Sequence, residues 1–383
     1  MIRRIFVARA LRSFADGFIS VVLPAYLLAL GLGELEVGII STATLLGSAG
    51  MTLAVGRWGH RFPIRRLMLG AALLMAATGL AFAGVSSFWP LLLVAFFGTL
   101  NPSSGDASVF MPLDHTMLAT AADRTSVFAR YSFIGSMAGA CGALITGLPE
   151  WLGADLRLMF VLYAAAGVAV WLLYLGLPGA RAEAHRPPAP LGPSKGIVVR
   201  LAALFSVDAF AGGLVLNSLL ALWLFQRFEM SLAAAGAFFF WTGLLSACSQ
   251  LAAGPLARRI GMVNTMVFTH IPSSLFLIGA ALSSNLSVVL GFLLARSLLS
   301  QMDVPARGAF VMSVVTPAER PAAASFTAVP RSLAAALSPS MTGAMFAAGA
   351  MATPLVACGV LKIAYDLALY AAFRRAERES QPV

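Results

Sequence analysis

Apolar runs of about 18 residues or more recur along this chain from end to end, and no other feature constrains its fold as tightly. As a helix rising about 1.5 Å per residue, such a run crosses a hydrocarbon core of about 30 Å. Only 11% of the 383 residues are charged, against about 25% in a soluble domain, and 59% are hydrophobic. A β-barrel needs alternating segments of about ten residues, which are absent. The chain therefore reads as an all-α polytopic membrane protein without a separate soluble domain.

Hydropathy and helix breakers predict twelve transmembrane helices, at about 5–31, 35–56, 67–86, 88–118, 124–148, 155–177, 200–226, 231–255, 263–284, 286–315, 321–348 and 352–373. The segment "PGARAEAHRPPAPLGPSKG", rich in Pro, Gly and charge, separates helices six and seven. This gives an N-terminal bundle at 1–177, a linker at 178–199, a C-terminal bundle at 200–373 and a tail at 374–383. Arginines gather at the N-terminus (Arg3, Arg4, Arg9, Arg12), between helices two and three (Arg57, Arg61, Arg65, Arg66), around the linker and after helix twelve. Retention of basic loops in the cytoplasm then predicts both termini inside, in an inner or plasma membrane. The same rule explains the formal charge of +10 without nucleic acid. The two halves echo each other. "TAADR" at 120–124 returns as "TPAER" at 316–320, an offset of 196, and "GRWGHRFP" at 56–63 as "GPLARRIG" at 254–261, an offset of 198.

Ionisable residues at membrane depth are costly and are kept for pairing, for lining a cavity or for carrying protons. Asp16, Asp106, Asp208 and Asp303 fall in helices one, four, seven and ten. Arg12 stands four residues before Asp16 and Arg307 four after Asp303, so both acids have a possible partner on their own helix. Lys362 and Asp366 share that spacing and read as a structural pair. Asp106 and Asp208 have no such partner and are the first candidates for proton or substrate contact. Arg296 and Arg331 are cations within spans, suited to structural pairing or to an anionic group. His270 reads as a satisfied polar residue near a kink. Asp114 and His115 lie nearer the cytoplasm than Asp106 and read as an inner-gate cluster. "NPSSG" at 101–105 and Pro305 mark irregular backbone in helices four and ten. Helix four, at about 31 residues, is too long for one crossing, so it must break or project.

The sequence resembles the major facilitator superfamily over essentially its whole length. That family carries approximately G-x-L-A-D-R-x-G-R-[RK] between helices two and three. Gly56, Arg61 and Arg65 match it, with His60 at the usual Asp; Gly254 and Arg259 match in the second half, with Arg258 at the usual Asp. The resemblance implies that this loop controls conformation at the inner gate, and that helices one, four, seven and ten line a central cavity. The four acids would then border one site. Gly135, Gly139 and Gly142 resemble the helix-five run of the drug/proton antiporter branch, with Ala140 in place of its Pro and Asn101 near its helix-four Arg. The same small-residue spacing also suits close helix packing.

No GxxxxGK[ST] loop for ATP and no nucleophile–base–orienter set is present, so neither an ATP-driven pump nor an enzyme is indicated. Cys141, Cys248 and Cys358 are odd in number and lack zinc spacing. The leading expectation is a monomeric secondary transporter without cofactor, embedded in the lipid bilayer. It would export a small cationic or amphipathic solute in exchange for protons by alternating access, with Phe18, Tyr26, Phe110, Phe210 and Trp223 as candidate cavity walls. Two alternatives stand beside it. A divalent metal would use Asp114, His115, Met302 and Asp303; an organic anion would use Arg296, Arg307 and Arg331. A transport-dead receptor or a lipid scramblase is the reading from a different class.

Overall fold

The computed structural model describes residues 1–103, 108–118, 124–177, 191–316 and 319–380. Those residues form α-helices joined by short connections. In order they are α1 (Ile2–Ala29), α2 (Glu34–Trp58), α3 (Ile64–Gly84), α4 (Phe88–Phe97), α5 (Phe110–Leu118), α6 (Arg124–Ala143), α7 (Leu148–Leu152), α8 (Arg157–Leu175), α9 (Lys195–Gly213), α10 (Asn217–Phe228), α11 (Leu232–Ile260), α12 (Met262–Leu282), α13 (Leu286–Leu299), α14 (Asp303–Val314), α15 (Arg320–Ala347) and α16 (Thr353–Ser380). Among the described residues, nine helical spans are long and apolar enough to cross a membrane. The count of twelve goes beyond this: α1 and α15 are long but charged or weakly apolar, and α4 is short.

The chain divides into two compact units that do not follow the sequence halves. The first comprises Met1–His185, Leu216–Trp241 and Pro339–Ala348; the second comprises Arg186–Val215, Thr242–Ser338 and Gly349–Val383. Segments on α10, α11 and α15 thus belong to the first unit although they lie beyond the linker. α9 begins at Lys195, inside the stretch read as linker.

In the first unit α1 packs against α6 and α8, α3 against α8, and α2 against α4. Small residues allow the closest approach: a Cβ on Gly17 would strike the Gly139 carbonyl across the α1–α6 contact. Tyr26, Phe82 and Phe160 interlock α1, α3 and α8, with ring centroids 4.5 Å and 5.3 Å apart, and Tyr26 donates to the Phe82 carbonyl at 2.5 Å. Arg4 and Arg65 donate to the Gly176 and Leu175 carbonyls, which the end of α8 leaves without helical partners.

In the second unit α12 packs against α16, α13 and α14, and α16 against α9. Its core holds Phe205, Val263, Met266, Phe310, Tyr365 and Phe373. The close approach of the first unit recurs: a Cβ on Gly213 would strike the Ala335 carbonyl. The start of α9 is tied down by Glu319, which accepts from the Gly192 and Ser194 amides and, at 2.7 Å, from the Thr316 hydroxyl. Hydrogen bonds from the Ser194 and Thr316 side chains and the Gly192 backbone hold its carboxyl down at about 2, below the ordinary 4.5.

The break expected in helix four is present. α4 ends at Phe97, residues 98–103 are not helical, and α5 starts at Phe110. Helix ten breaks too, between Leu299 and Asp303, and Pro305 sits in the first turn of α14, where a missing amide costs nothing. Helix seven, expected to be continuous, is interrupted between Gly213 and Asn217.

Candidate functional site

Each unit encloses one charged cluster. In the first, α1 carries Arg12 and α5 carries Asp114, both buried. One Arg12 guanidinium nitrogen donates to Asp114 Oδ2 and the other to the Tyr174 hydroxyl of α8. Tyr131 of α6 donates to the same Oδ2 at 2.7 Å. Arg12 also lies over the Phe110 ring at 4.3 Å, and Arg9 over the Tyr131 ring at 4.8 Å. This corrects one expectation: Arg12 is the partner of Asp114 on another helix, in place of Asp16 on its own. Asp114, read as part of an inner-gate cluster, is fully buried in this pair. His115 packs edge-on against Phe128 and Tyr131 at 4.9 Å and 5.6 Å.

In the second unit, α9 supplies Asp208, α14 Asp303 and Arg307, α12 His270, and α16 Lys362 and Asp366. Arg307 donates to Asp303 one turn earlier and, at 3.2 Å, to Asp208 Oδ2. Lys362 Nζ lies 2.7 Å from Asp208 Oδ1 and 3.2 Å from His270 Nε2. His270 Nδ1 lies 3.1 Å from Asp366 Oδ1. The Asp303–Arg307 pair is the expected one. Asp208 is not the unpaired acid that its own helix suggested, because cations from α14 and α16 neutralise it. Lys362 and Asp366 do not pair with each other; they meet α9 and α12 instead. Burying each charge separately would cost several kcal/mol, and the network offsets that by giving every carboxylate a donor.

The remaining candidates are scattered. Asp16 is half-buried on α1 and within electrostatic range of Tyr163, whose hydroxyl donates to the Thr99 carbonyl at 2.9 Å. Asp106 and most of "TAADR" lie outside the described residues. Gly56, His60 and Arg61 surround the turn after α2, while Gly254, Arg258 and Arg259 lie on the last turns of α11 with exposed side chains. Arg296 is half-buried near Cys358. Arg331 is exposed, makes no ion pair among the described residues, and lies within electrostatic range of Asp208, Asp303 and Arg307. Phe18, Tyr26, Phe110 and Trp223 are buried core residues. The metal alternative loses its ligands, since Asp114 and Asp303 are committed to guanidinium groups. Among the described residues no three His, Cys, Asp or Glu side chains gather for a metal.

Sequence reasoning missed Tyr131 and Tyr174, which carry no pattern of their own. It named Lys362, Asp366 and His270 but read them as a structural pair and a satisfied polar residue, and did not place them with Asp208.

Long apolar helices in two units, each with charges paired inside it, define the class of polytopic membrane proteins. Residues 5–300 match the Major Facilitator Superfamily, and the chain belongs to that family of transporters; it is not an enzyme. An uncharacterised membrane protein of Saccharomyces cerevisiae is 25% identical over 95% of this chain and 92% of its own length. The fold is that of the nucleoside transporter NupG (TM-score 0.77, 14% identity, 97% and 99% of the two chains). It is also that of a bacterial homologue of the human lysosomal transporter Spinster (0.73, 15%, 100% and 98%) and of the human organic anion transporter TETRAN (0.66, 17%, 96% and 98%).

Proposed function

We propose that the chain is a proton-driven secondary transporter of a small organic solute bearing an anionic group, working by alternating access with both termini cytoplasmic. One observation carries the choice of charge. Asp208 and Asp303 are already neutralised by Arg307 and Lys362, whereas Arg331 beside them is exposed and without an ion pair among the described residues. A cationic solute, expected from unpaired acids, loses that ground at these two carboxylates. Arginine suits carboxylate and phosphate groups through its planar set of donors.

Export in exchange for protons is the alternative, favoured by the antiporter-like glycines. In the structure, however, Gly139 serves the approach of α1 to α6, and a Cβ on Gly142 would meet the Phe14 backbone.

The test is flux in proteoliposomes under imposed pH gradients, with a panel of organic anions and cations. Anion flux driven by the gradient is expected, and Arg331→Gln should reduce it about tenfold or more, the worth of a charge-assisted hydrogen bond. Cation flux without anion flux overturns the proposal.

A further inference from the structure

We infer that His270 is the residue that binds the coupling proton, and that its protonation displaces Lys362 from Asp208. This rests on the proton-coupled reading above and adds a site and a sign to it.

The geometry fixes the resting state of the ring. A lysine ammonium has donors only. With Lys362 Nζ 3.2 Å from His270 Nε2, that nitrogen must accept. The ring proton then sits on Nδ1, which donates to Asp366 Oδ1 at 3.1 Å. His270 is therefore neutral, held between a cation and a carboxylate.

Protonation reverses this. A hydronium ion gives its proton to the Nε2 lone pair and leaves as water. Nε2 becomes a donor facing another donor, and two cations meet at that distance. An acceptor within reach of the new N–H is Asp208 Oδ1 at 3.9 Å, the oxygen that Lys362 occupies. Asp208 cannot follow Lys362, because Arg307 holds its other oxygen and is itself clamped by Asp303. Lys362 is the partner with room to leave: its side chain is 12% exposed, against 4% for His270 and Asp208.

The surroundings set the sign of the coupling. The charged groups of the His270 cluster are Asp208 of α9, Asp303 and Arg307 of α14, and Lys362 and Asp366 of α16, with Arg331 of α15 in electrostatic range of Asp208, Asp303 and Arg307. These three carboxylates and three cations balance. Tyr365 and Cys358 of α16 are neutral, and Arg296 of α13 interacts with Cys358. One added proton leaves the cluster with a single positive charge, carried by a displaced ammonium. An anionic headgroup restores neutrality. Proton and anion therefore bind with positive coupling, and by linkage each raises the affinity for the other. Such coupling moves the two together and not in exchange.

Solid-state NMR of the full chain in lipid nanodiscs tests this without a transported solute. Replacing His60, His115 and His185 by Gln leaves His270 as the only histidine of the four. At alkaline pH the expected result is a neutral ring with its proton on Nδ1 and a through-space contact between Lys362 Nζ and Asp208 Cγ. On acidification the ring becomes imidazolium and that contact disappears at the same midpoint. A ring protonated on Nε2, a ring that does not titrate while the protein stays folded, or a Lys362–Asp208 contact that survives protonation overturns the inference. Absence of any anion flux in proteoliposomes would sink the transport reading and leave this titration standing, so the two failures are distinguishable.

Discussion

The cluster around Arg12 and the network around Asp208 occupy equivalent places in the two repeats, and they are built with opposite polarity. At the repeat offset of 196, Arg12 corresponds to Asp208. Each reaches the fourth helix of its own half, Arg12 to Asp114 and Asp208 to Arg307. The packing beside them keeps its register. Gly17 faces Gly139 in the first unit, and the corresponding Gly213 faces Ala335 in the second. Duplication has thus preserved where helices touch while the charges have been rewritten. The first cluster is closed off by two tyrosine hydroxyls, whereas the second contains an imidazole and borders an exposed arginine. On the proposed function, the first ion pair holds helices together and the second serves transport.

The largest effect should come from unpairing the closed cluster. Arg12→Ala leaves Asp114 buried and uncompensated, which should cost about 3–5 kcal/mol, read as a fall in the unfolding temperature of the detergent-solubilised protein. Replacing both partners, Arg12→Met with Asp114→Leu, should be close to neutral and should retain transport. Loss of transport in that double variant, with the fold intact, would break the comparison by giving the first cluster a chemical role. Next in size is the repeated packing. Gly17→Val and Gly213→Val each force a side chain against a neighbouring carbonyl and should cost about 1–3 kcal/mol by the same measurement. Markedly unequal costs would show that the two halves no longer share their packing.

The smallest effect concerns Glu319, whose counterpart Asp123 lies outside the described residues. Its carboxyl is depressed from 4.5 to about 2 in the folded protein. Its contribution to stability is therefore full above the unfolded value and disappears as pH falls through the folded one. Glu319→Gln should remove that acid limb from a stability–pH profile and leave neutral-pH transport unchanged. An identical limb in the variant would assign it to other groups.

Much of this was legible in the sequence. The apolar runs, the break in helix four and the Asp303–Arg307 pair follow from composition, length and the turn of a helix. Partner choice across helices did not. Spacing along one helix offered Asp16 to Arg12 and Asp366 to Lys362, because it records only neighbours on the same face. The observed partners, Asp114 and Asp208, lie 102 and 154 residues away and are decided by how each helix is rotated when it packs. Asp208 looked unpaired for the same reason. The discontinuity after Gly213 has no proline to announce it.

The make-up of the first unit has a consequence for synthesis. Thr146 donates to the Leu232 carbonyl at 2.9 Å, Glu150 accepts from the Leu232 amide at 3.2 Å, and Gln226 donates to Glu34 at 2.7 Å. The hydroxyl of Thr42 receives the Ser340 amide at 3.0 Å. None of these bonds exists while the ribosome has made only the first repeat. The unit containing the N-terminus is thus finished almost last, when residues 339–348 emerge, and until then its early helices lack these bonds. A chain halted in the linker would leave the quality-control machinery an unfinished object and not half of a finished one.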